Sequence, residues 1–160
     1  MKYCGIDIGL DGGIVVINNG KVIFNSIMPV VNSTKSRKQY DIARIVDILR
    51  EQNPDFTYVE KPLLHPKSGK MSYQKSGFGF GIFQGILSAL DLRYDIISPK
   101  RWQKNIFAGM NRKDTKQASI LFAKRMAPKI DWRKSKRSEK YHDGKTDAFC
   151  IAEYCKRLNS

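Results

Sequence analysis

The stretch YCGIDIGLDGGIVVINNGKVIFNSIM (residues 3–28) decides the fold class of this 160-residue chain. Its first part, YCGIDIG, alternates apolar residues with others, which predicts a β-strand. Two further strands follow, and Asn19-Gly20 lies between them. Both residues accept the positive φ that a tight type I′ hairpin turn requires. The chain is therefore predicted to begin with three strands, the last two forming a hairpin.

Strands and helices alternate after this start. A helix is predicted in residues 40–54, capped by Asp41, and a fourth strand, DFTYV, leads to Glu60. A fifth strand, YDIIS, precedes Ser98-Pro99, which is typical of a helix start. Amphipathic patterns predict further helices in residues 114–128 and 143–158. A hairpin-rich start followed by strand–helix alternation predicts an α/β fold with a mixed sheet and helices on its faces.

The middle of the chain combines a basic segment with a glycine-rich one. Residues 61–76, KPLLHPKSGKMSYQKS, are polar and basic and are predicted to form a loop. Residues 77–92, GFGFGIFQGILSALDL, are predicted to form a largely apolar helix. Their glycine spacing does not match a phosphate-binding loop, so the glycines are interpreted as sites of close packing.

Composition points to a polyanionic partner. Lys and Arg number 29 against 15 acids, which gives a net charge of +14. Nucleic acid is the usual partner of so basic a chain, although a merely basic soluble protein is the alternative.

No apolar run is long enough to cross a membrane, and the start lacks a signal-peptide pattern. Three cysteines, an odd number, favour reduced thiols in the cytoplasm. The length fits one domain, residues 1–160.

Two acidic residues belong to predicted strands. Asp7 lies inside an apolar strand, where aspartate is disfavoured, and it points away from the face of Ile6 and Ile8. Gly5 and Gly9 leave room beside it for another group to approach the backbone. Glu60 ends the fourth strand, and acids at the ends of neighbouring strands commonly face a site in α/β folds. The alternative for each acid is simple exposure to solvent.

Asp143 and Asp147 lie one turn apart at the start of the last helix. This spacing places both on one face, where like charges repel. Asp143 could instead be the helix cap, but capping cannot also explain Asp147. Carboxylates brought together from three elements suit Mg²⁺ or Mn²⁺ rather than zinc. With basic flanks, such a cluster predicts metal-dependent phosphodiester cleavage, in which two ions activate water and stabilise the leaving oxygen.

The segments GIDIGLDGG, VEKP, GFGFGIFQGILSAL, SPKRWQK and HDGKTDAFCIAEY, in this order, resemble the RuvC-like Holliday junction resolvases, especially the compact versions common in bacteriophages. The resemblance covers nearly the whole chain. It implies an RNase H-like fold with a five-stranded mixed sheet flanked by helices. It also implies a homodimer that binds a four-way DNA junction and nicks two opposed strands with two Mg²⁺ ions per site, for which Mn²⁺ substitutes. This activity is that of a crossover junction endodeoxyribonuclease.

The resemblance also implies roles for individual residues. Asp7, Glu60 and Asp147 match the three core metal ligands, and Asp143 stands at the fourth. The spacing of four between Asp143 and Asp147 departs from the three of the bacterial housekeeping enzymes, which leaves His142 as an alternative ligand. The glycine-rich helix is implied as a dimer contact, with ordinary core packing as the alternative.

Basic and aromatic residues outside the acidic cluster are predicted to contact DNA, through phosphate contacts and base stacking. Trp102 is predicted to belong to the core. Residues 129–141 are predicted to form a mobile, charged loop in which Trp132 could stack on DNA. The predicted DNA-binding residues are Lys61, Lys67, Lys70, Tyr73, Lys75, Arg101, Lys104, Arg112, Lys113, Arg133, Lys134, Lys136, Arg137, Lys140 and Lys145.

Three alternatives to a junction-resolving enzyme stay open. One is a broader nuclease for flaps, forks or replicating DNA, since nothing in the sequence separates these substrates. Another is a module that binds DNA without cutting it. The third starts from DIGLDGG, which also looks like the phosphate-binding start of actin-like kinases. Those need two such domains, and that reading leaves the basic charge unexplained.

Overall fold

The structure, a computed structural model, describes residues 1–32, 38–62, 69–110 and 114–160, apart from the side chain of Ser72. Its strands are β1 (Lys2–Asp7), β2 (Gly13–Asn18), β3 (Lys21–Ile27), β4 (Val30–Asn32), β5 (Lys38–Tyr40), β6 (Phe56–Glu60) and β7 (Tyr94–Ile97). Its helices are α1 (Ile42–Gln52), α2 (Lys70–Ala89), α3 (Pro99–Ile106), α4 (Thr115–Met126) and α5 (Asp143–Asn159).

Five strands form one mixed sheet in the order β3-β2-β1-β6-β7. The β1–β2 and β2–β3 pairs are antiparallel, whereas β1–β6 and β6–β7 are parallel. Asn19 and Gly20 join β2 to β3 with φ values of 48° and 75°, as a type I′ turn requires. The five-stranded mixed sheet flanked by helices, predicted from the sequence, is confirmed.

Helices cover both faces of the sheet. On one face, α1 and α2 pack against Cys4, Ile6 and Val59. On the other, α3, α4 and α5 pack against Tyr3, Tyr58 and the outer hairpin strands. Since side chains alternate between faces along a strand, Asp7 and Glu60 belong to the second face, under α3, α4 and α5. Within the described residues, no helix combines the length and apolar character needed to span a bilayer.

Helix α5 lies unusually close to the central strand because Gly5 has no side chain. A Cβ at Gly5 would overlap the carbonyl oxygen of Ala148 and the backbone nitrogen of Ala152. The group that approaches Gly5 is therefore α5 itself. This close contact fixes the height of the helix above β1 and brings its first turns towards Asp7.

Two local predictions are wrong, and one hairpin was not predicted. Helix α2 begins at Lys70, so the second half of the predicted loop 61–76 is helical; its polar, basic residues are compatible with an exposed helix face. The hairpin of β4 and β5 was not predicted, because residues 30–40 contain no tight-turn signature. Trp132 is 2% exposed and packs on Phe149. It therefore cannot stack on DNA, although the residues around it are charged. Trp102 is buried in the core, as predicted.

Candidate active site

Asp7 and Glu60 end two adjacent parallel strands. The paired residues Ile6 and Val59 are the last pair in the register, and the two acids follow them directly. They therefore lie side by side on the same face of the sheet, about 5 Å apart along the hydrogen-bonding direction. The indole Nε1 of Trp102 donates a 3.0 Å hydrogen bond to Oε1 of Glu60, and the Gly9 amide donates to Oδ1 of Asp7 at 3.3 Å.

The start of α5 is fixed above these two acids. A Cβ at Gly144 would overlap the backbone of Asp11 and Gly12, so the first turn of α5 rests directly on the turn between β1 and β2. This contact places Asp143 and Asp147 over the end of β1. The charge of Asp143 acts on Asp7, and the charge of Asp7 acts on Asp147. The structure thus brings the four predicted acids into one neighbourhood.

His142, and not Asp143, caps α5. The Nδ1 of His142 accepts a 3.3 Å hydrogen bond from the amide of Lys145, and Asp143 is the first helical residue. The alternative of Asp143 as N-cap is therefore wrong. Its carboxylate instead pairs with Nζ of Lys116 on α4 at 2.9 Å. Because its Nδ1 accepts the Lys145 amide, His142 acts as the helix cap. This nitrogen is therefore not available to bind a metal ion in this conformation, which argues against His142 as the alternative ligand.

Burial raises the pKa of three of the four acids. Desolvation raises the pKa of Glu60 to about 8, helped by the charge of Asp7. It raises the pKa of Asp147 to about 7 and that of Asp7 to about 6. Because buried carboxylates of like charge oppose each other's ionisation, a cation in this neighbourhood would be bound favourably. The hydrogen bond and charge of Asp143 raise the pKa of Lys116.

These raised values predict how stability depends on pH in a chelating buffer. A carboxyl whose pKa is higher in the folded state stabilises the fold at low pH. That contribution is lost as the pH rises through the folded value, here about 6 to 8. We expect the free energy of unfolding to fall between about pH 5 and pH 9, and Glu60→Gln to reduce that fall by about 3 kcal/mol.

Urea unfolding followed by circular dichroism measures the effect at each pH. Gln at position 60 keeps an oxygen for the Trp102 indole but cannot ionise, so the variant isolates the charge. Asp55→Asn, a change at an exposed acid outside the cluster, is the matched control. An equal fall in wild type and Glu60→Gln would show that Glu60 is not desolvated as described.

The donor set fits a hard divalent cation. Asp7, Glu60, Asp143 and Asp147 offer only carboxylate oxygens, the ligand type that Mg²⁺ and Mn²⁺ prefer. Burial, and after it the charges of neighbouring acids, raise the pKa values of Asp7, Glu60 and Asp147, so a cation beside these three carboxyls would favour their ionised form. In the described part of the chain, however, no three acidic, histidine or cysteine side chains converge closely enough to enclose an ion. Each carboxylate is turned to its own neighbour, so binding requires the side chains to rotate inward.

Four neighbours of the cluster were not found from the sequence as site residues. Trp102 orients Glu60, and Lys116 pairs with Asp143. Burial raises the pKa of Asp147, and a side-chain hydrogen bond with Ser119 offsets part of that rise. Tyr40 donates a hydrogen bond to the carbonyl of Ile8, and burial together with the charge of Asp7 raises its pKa to about 12. These residues lie on β5, α3 and α4. No local pattern distinguishes them from ordinary helix or strand residues.

A cleft of about 950 Å³ opens beside Asp7 and Glu60. Lys61 and Lys75 line it, and so does Lys38, whose ammonium pairs with Asp11 at 3.0 Å. Apolar residues of α2, including Met71 and Phe78, also line the cleft. The cleft therefore combines carboxylates, ammonium groups and apolar surface, a mixture that suits a phosphate backbone with attached bases.

Most of the predicted DNA-binding residues lie on the surface. The exposed ones are Lys61, Lys70, Tyr73, Lys75, Arg101, Lys104, Lys134, Lys136, Arg137 and Lys140. Two others differ. Lys145 is buried and its Nζ donates to the carbonyl of Asp131 at 2.7 Å, so it holds the loop and is not free to contact phosphate. Arg133 is half-buried and forms a two-point ion pair with Asp131. Lys67, Arg112 and Lys113 lie outside the described residues.

Comparison with protein-family models gives no match, and comparison with curated protein sequences gives none either. Solved structures do match. Thermus thermophilus RuvC in complex with a Holliday junction substrate gives a TM-score of 0.67 at 14% identity, over 99% of this chain and 96% of that one. The fowlpox virus resolvase, in complex with Holliday junction DNA, gives 0.57 at 16% identity over 100% of both chains. The yeast mitochondrial Holliday junction resolvase Ydc2 gives 0.55 at 14% identity, over 96% of this chain and 77% of that one. The chain therefore has the RNase H-like α/β fold of RuvC and other Holliday junction resolvases.

Proposed function

We propose that this protein is a Mg²⁺-dependent endonuclease that resolves four-way DNA junctions by paired nicks from a homodimer. One observation carries the proposal: four carboxylates from β1, β6 and α5 lie in one neighbourhood beside a cleft lined by lysines, in a fold shared with known resolvases. A cytoplasmic setting agrees with the three buried free thiols.

The residues of this chain divide the work of the reaction. Asp7, Glu60 and Asp147 are the proposed ligands, with Asp143 as a fourth. Two bound Mg²⁺ ions would supply an activated water and stabilise the leaving oxygen of an in-line displacement. Trp102 keeps Glu60 in position through its indole hydrogen bond. The exposed lysines around the cleft hold the phosphate backbone, so that the scissile bond rests over the carboxylates.

A homodimer is supported by the exposed face of α2. Gly77, Gly81 and Gly85 recur every four residues and so share one helix face. A Cβ at any of the three would meet no described atom within 4 Å. Phe78, which is 65% exposed, and Met71, which is 61% exposed, extend this face to the edge of the cleft that they line. An apolar helix face with small residues permits the close approach of a second helix, and we propose that α2 packs on its copy across a two-fold axis.

Gly81→Glu is expected to produce a folded monomer. The side chain meets open space within one subunit but would place a charge against the partner helix. Dimerisation is expected to weaken by about 10²-fold or more, because an unpaired charge at a helix contact costs several kcal/mol. Sedimentation velocity at several concentrations measures the change. Ala43→Glu, at an exposed position of α1, is the control, and an unchanged dimer in Gly81→Glu would exclude this face.

A substrate panel tests the proposed activity. Four-way junctions, flaps, forks and plain duplex of matched length are incubated with the protein and Mg²⁺, Mn²⁺ or a chelator. The proposal predicts cleavage of the junction faster than of any other substrate, and none with chelator. Equal rates on flaps and forks would favour the broader branched-DNA nuclease. Chelator-insensitive binding without product in either metal would favour the non-cleaving module.

A further inference from the structure

A second pocket, of about 190 Å³, lies at the end of α4, and its lining residues are different from those of the cleft. Trp132 lines it, with Pro128 and Ile130 as apolar walls, and Lys124 and Tyr141 also face it. Nothing in the proposed chemistry uses this pocket. Its mixture of an aromatic ring, apolar walls and an ammonium group calls for a separate explanation.

Tyr141 presents its ring on a rigid backbone. The segment containing it pairs with the segment of Trp132 and Arg133 through an antiparallel bridge between Arg133 and Tyr141. The His142 amide donates to the Trp132 carbonyl at 2.9 Å, and the Lys134 amide donates to the Lys140 carbonyl at 3.1 Å. Trp132 is itself fixed, since its indole donates to the Ala127 carbonyl at 3.2 Å. Tyr141 nevertheless stays 38% exposed. Its backbone is therefore fixed while its ring is accessible to solvent.

The charges at the pocket favour a nucleotide. The acidic residue that lines the pocket is Asp131, and its carboxylate accepts hydrogen bonds from Arg133 at 2.8 and 2.9 Å. The other cation that lines the pocket is Lys124, whose ammonium lies 5.1 Å from the centre of the Tyr141 ring. An exposed cation–π contact is weak. A nucleobase can therefore replace the ammonium over the Tyr141 ring, and the ammonium can then bind the adjoining phosphate.

The position of Tyr141 links this pocket to the acidic cluster. Tyr141 precedes Asp143 by two residues, so their Cα atoms are at most about 7.6 Å apart. Along α4, Asp143 pairs with Lys116 and Tyr141 contacts Lys124. A DNA strand seated at Asp143 and Asp147 can therefore reach Tyr141 within about two nucleotides. Aromatic side chains stack on unpaired bases irrespective of sequence, because each base has a π-face.

We propose that Tyr141 stacks on an unpaired nucleobase within about two nucleotides of the scissile phosphate, in the pocket that Trp132 lines, while Lys124 contacts the adjoining phosphate. The inference rests on the proposed function, since it assumes that a DNA strand lies at the carboxylates. It adds a nucleotide subsite on the α4–α5 side of the site. The consequence is a requirement for unpaired or easily unpaired DNA at the cut, which plain duplex does not meet.

The experiment places 2-aminopurine at one position at a time around the exchange point of a four-way junction. Asp7→Asn protein is used so that the DNA stays intact. We expect a change in emission at one or two neighbouring positions in each recognised strand. Tyr141→Phe should keep this change, whereas Tyr141→Leu, which retains apolar bulk without a ring, should lose it. Tyr141→Leu should also weaken binding by about ten-fold.

Two further variants sharpen the result. Leu158→Ala, at an exposed residue near the far end of α5, should behave as the unchanged protein. Lys124→Gln should reduce the slope of log affinity against log salt by about one. Emission changes that are the same with Tyr141 and with Leu at every position would overturn the proposal.

The same junctions, incubated with unmodified protein and Mg²⁺, report on the proposed function separately. A signal that depends on Tyr141 without cleavage would reject the nuclease and keep the nucleotide subsite. Cleavage without such a signal would reject the subsite and keep the nuclease.

Discussion

Replacing Asp7 by asparagine is expected to abolish Mg²⁺-dependent cleavage of a four-way junction while leaving binding intact. Asparagine keeps the size of the side chain and an oxygen that can accept from the Gly9 amide, but it cannot contribute the negative charge a hard cation needs. Loss of an outer-shell partner already costs 10- to 100-fold in metal proteins, so loss of a ligand should cost more than about 100-fold here. Single-turnover cleavage of labelled junctions measures the rate.

The control for this variant is a nearby acid outside the cluster. Asp11 lies four residues along the chain, is exposed, and pairs with Lys38; Asp11→Asn should retain cleavage within a few-fold. Binding of the Asp7→Asn protein to the junction, measured at one salt concentration, should stay within about three-fold of wild type, because phosphate contacts by lysines dominate affinity. An Asp7→Asn protein that cuts as fast as wild type would show that the site is elsewhere.

Gly5→Val is expected to be the most destabilising single change in the central strand. The new Cβ would overlap the backbone of Ala148 and Ala152, and backbone atoms cannot rotate away as side chains do. The strand and α5 would have to separate, which disrupts the core on that face of the sheet. We expect a loss of about 4 kcal/mol or more of unfolding free energy, among the largest values single substitutions produce. Urea unfolding in the presence of chelator measures it.

Gly9→Ala is the matched control for Gly5→Val. A Cβ at Gly9 would find its nearest neighbours at 3.6 to 3.9 Å, an ordinary contact distance, and the backbone there is not left-handed. We expect the change to stay within about 1 kcal/mol. Gly5→Val as stable as wild type would contradict the packing of α5 on β1, and with it the position of Asp143 and Asp147.

The sequence predicts the parts of the site that have local signals. Asp7 interrupts an apolar strand, Glu60 ends another, and Asp147 lies on a helix face where capping cannot explain it. Lys116 and Tyr40 carry no such signal, because their place beside the acids depends on how α4 and β5 pack against the sheet. The role of Trp102 in holding Glu60 was hidden in the same way, although its burial was predicted.

The segment around Trp132 shows how charge can mislead a prediction of burial. Residues around Trp132 are so basic that the segment was expected to stay outside the core. Yet Lys145 turns inward onto the carbonyls of Asp131 and Arg133, and Trp132 is covered. Lysine has a long apolar stem, so a basic residue can help bury a loop while its ammonium binds backbone oxygens. Composition alone therefore cannot separate a DNA-binding loop from a packed one.

Strand mapping of the products from one synthetic four-way junction tests the central claim most directly. With Mg²⁺, the account predicts two nicks, placed symmetrically in opposed strands, and ligatable duplex products. Both nicks should vanish with chelator and in Asp7→Asn. Binding without any nick in Mg²⁺ or Mn²⁺, or nicks that persist in Asp7→Asn, would contradict the account.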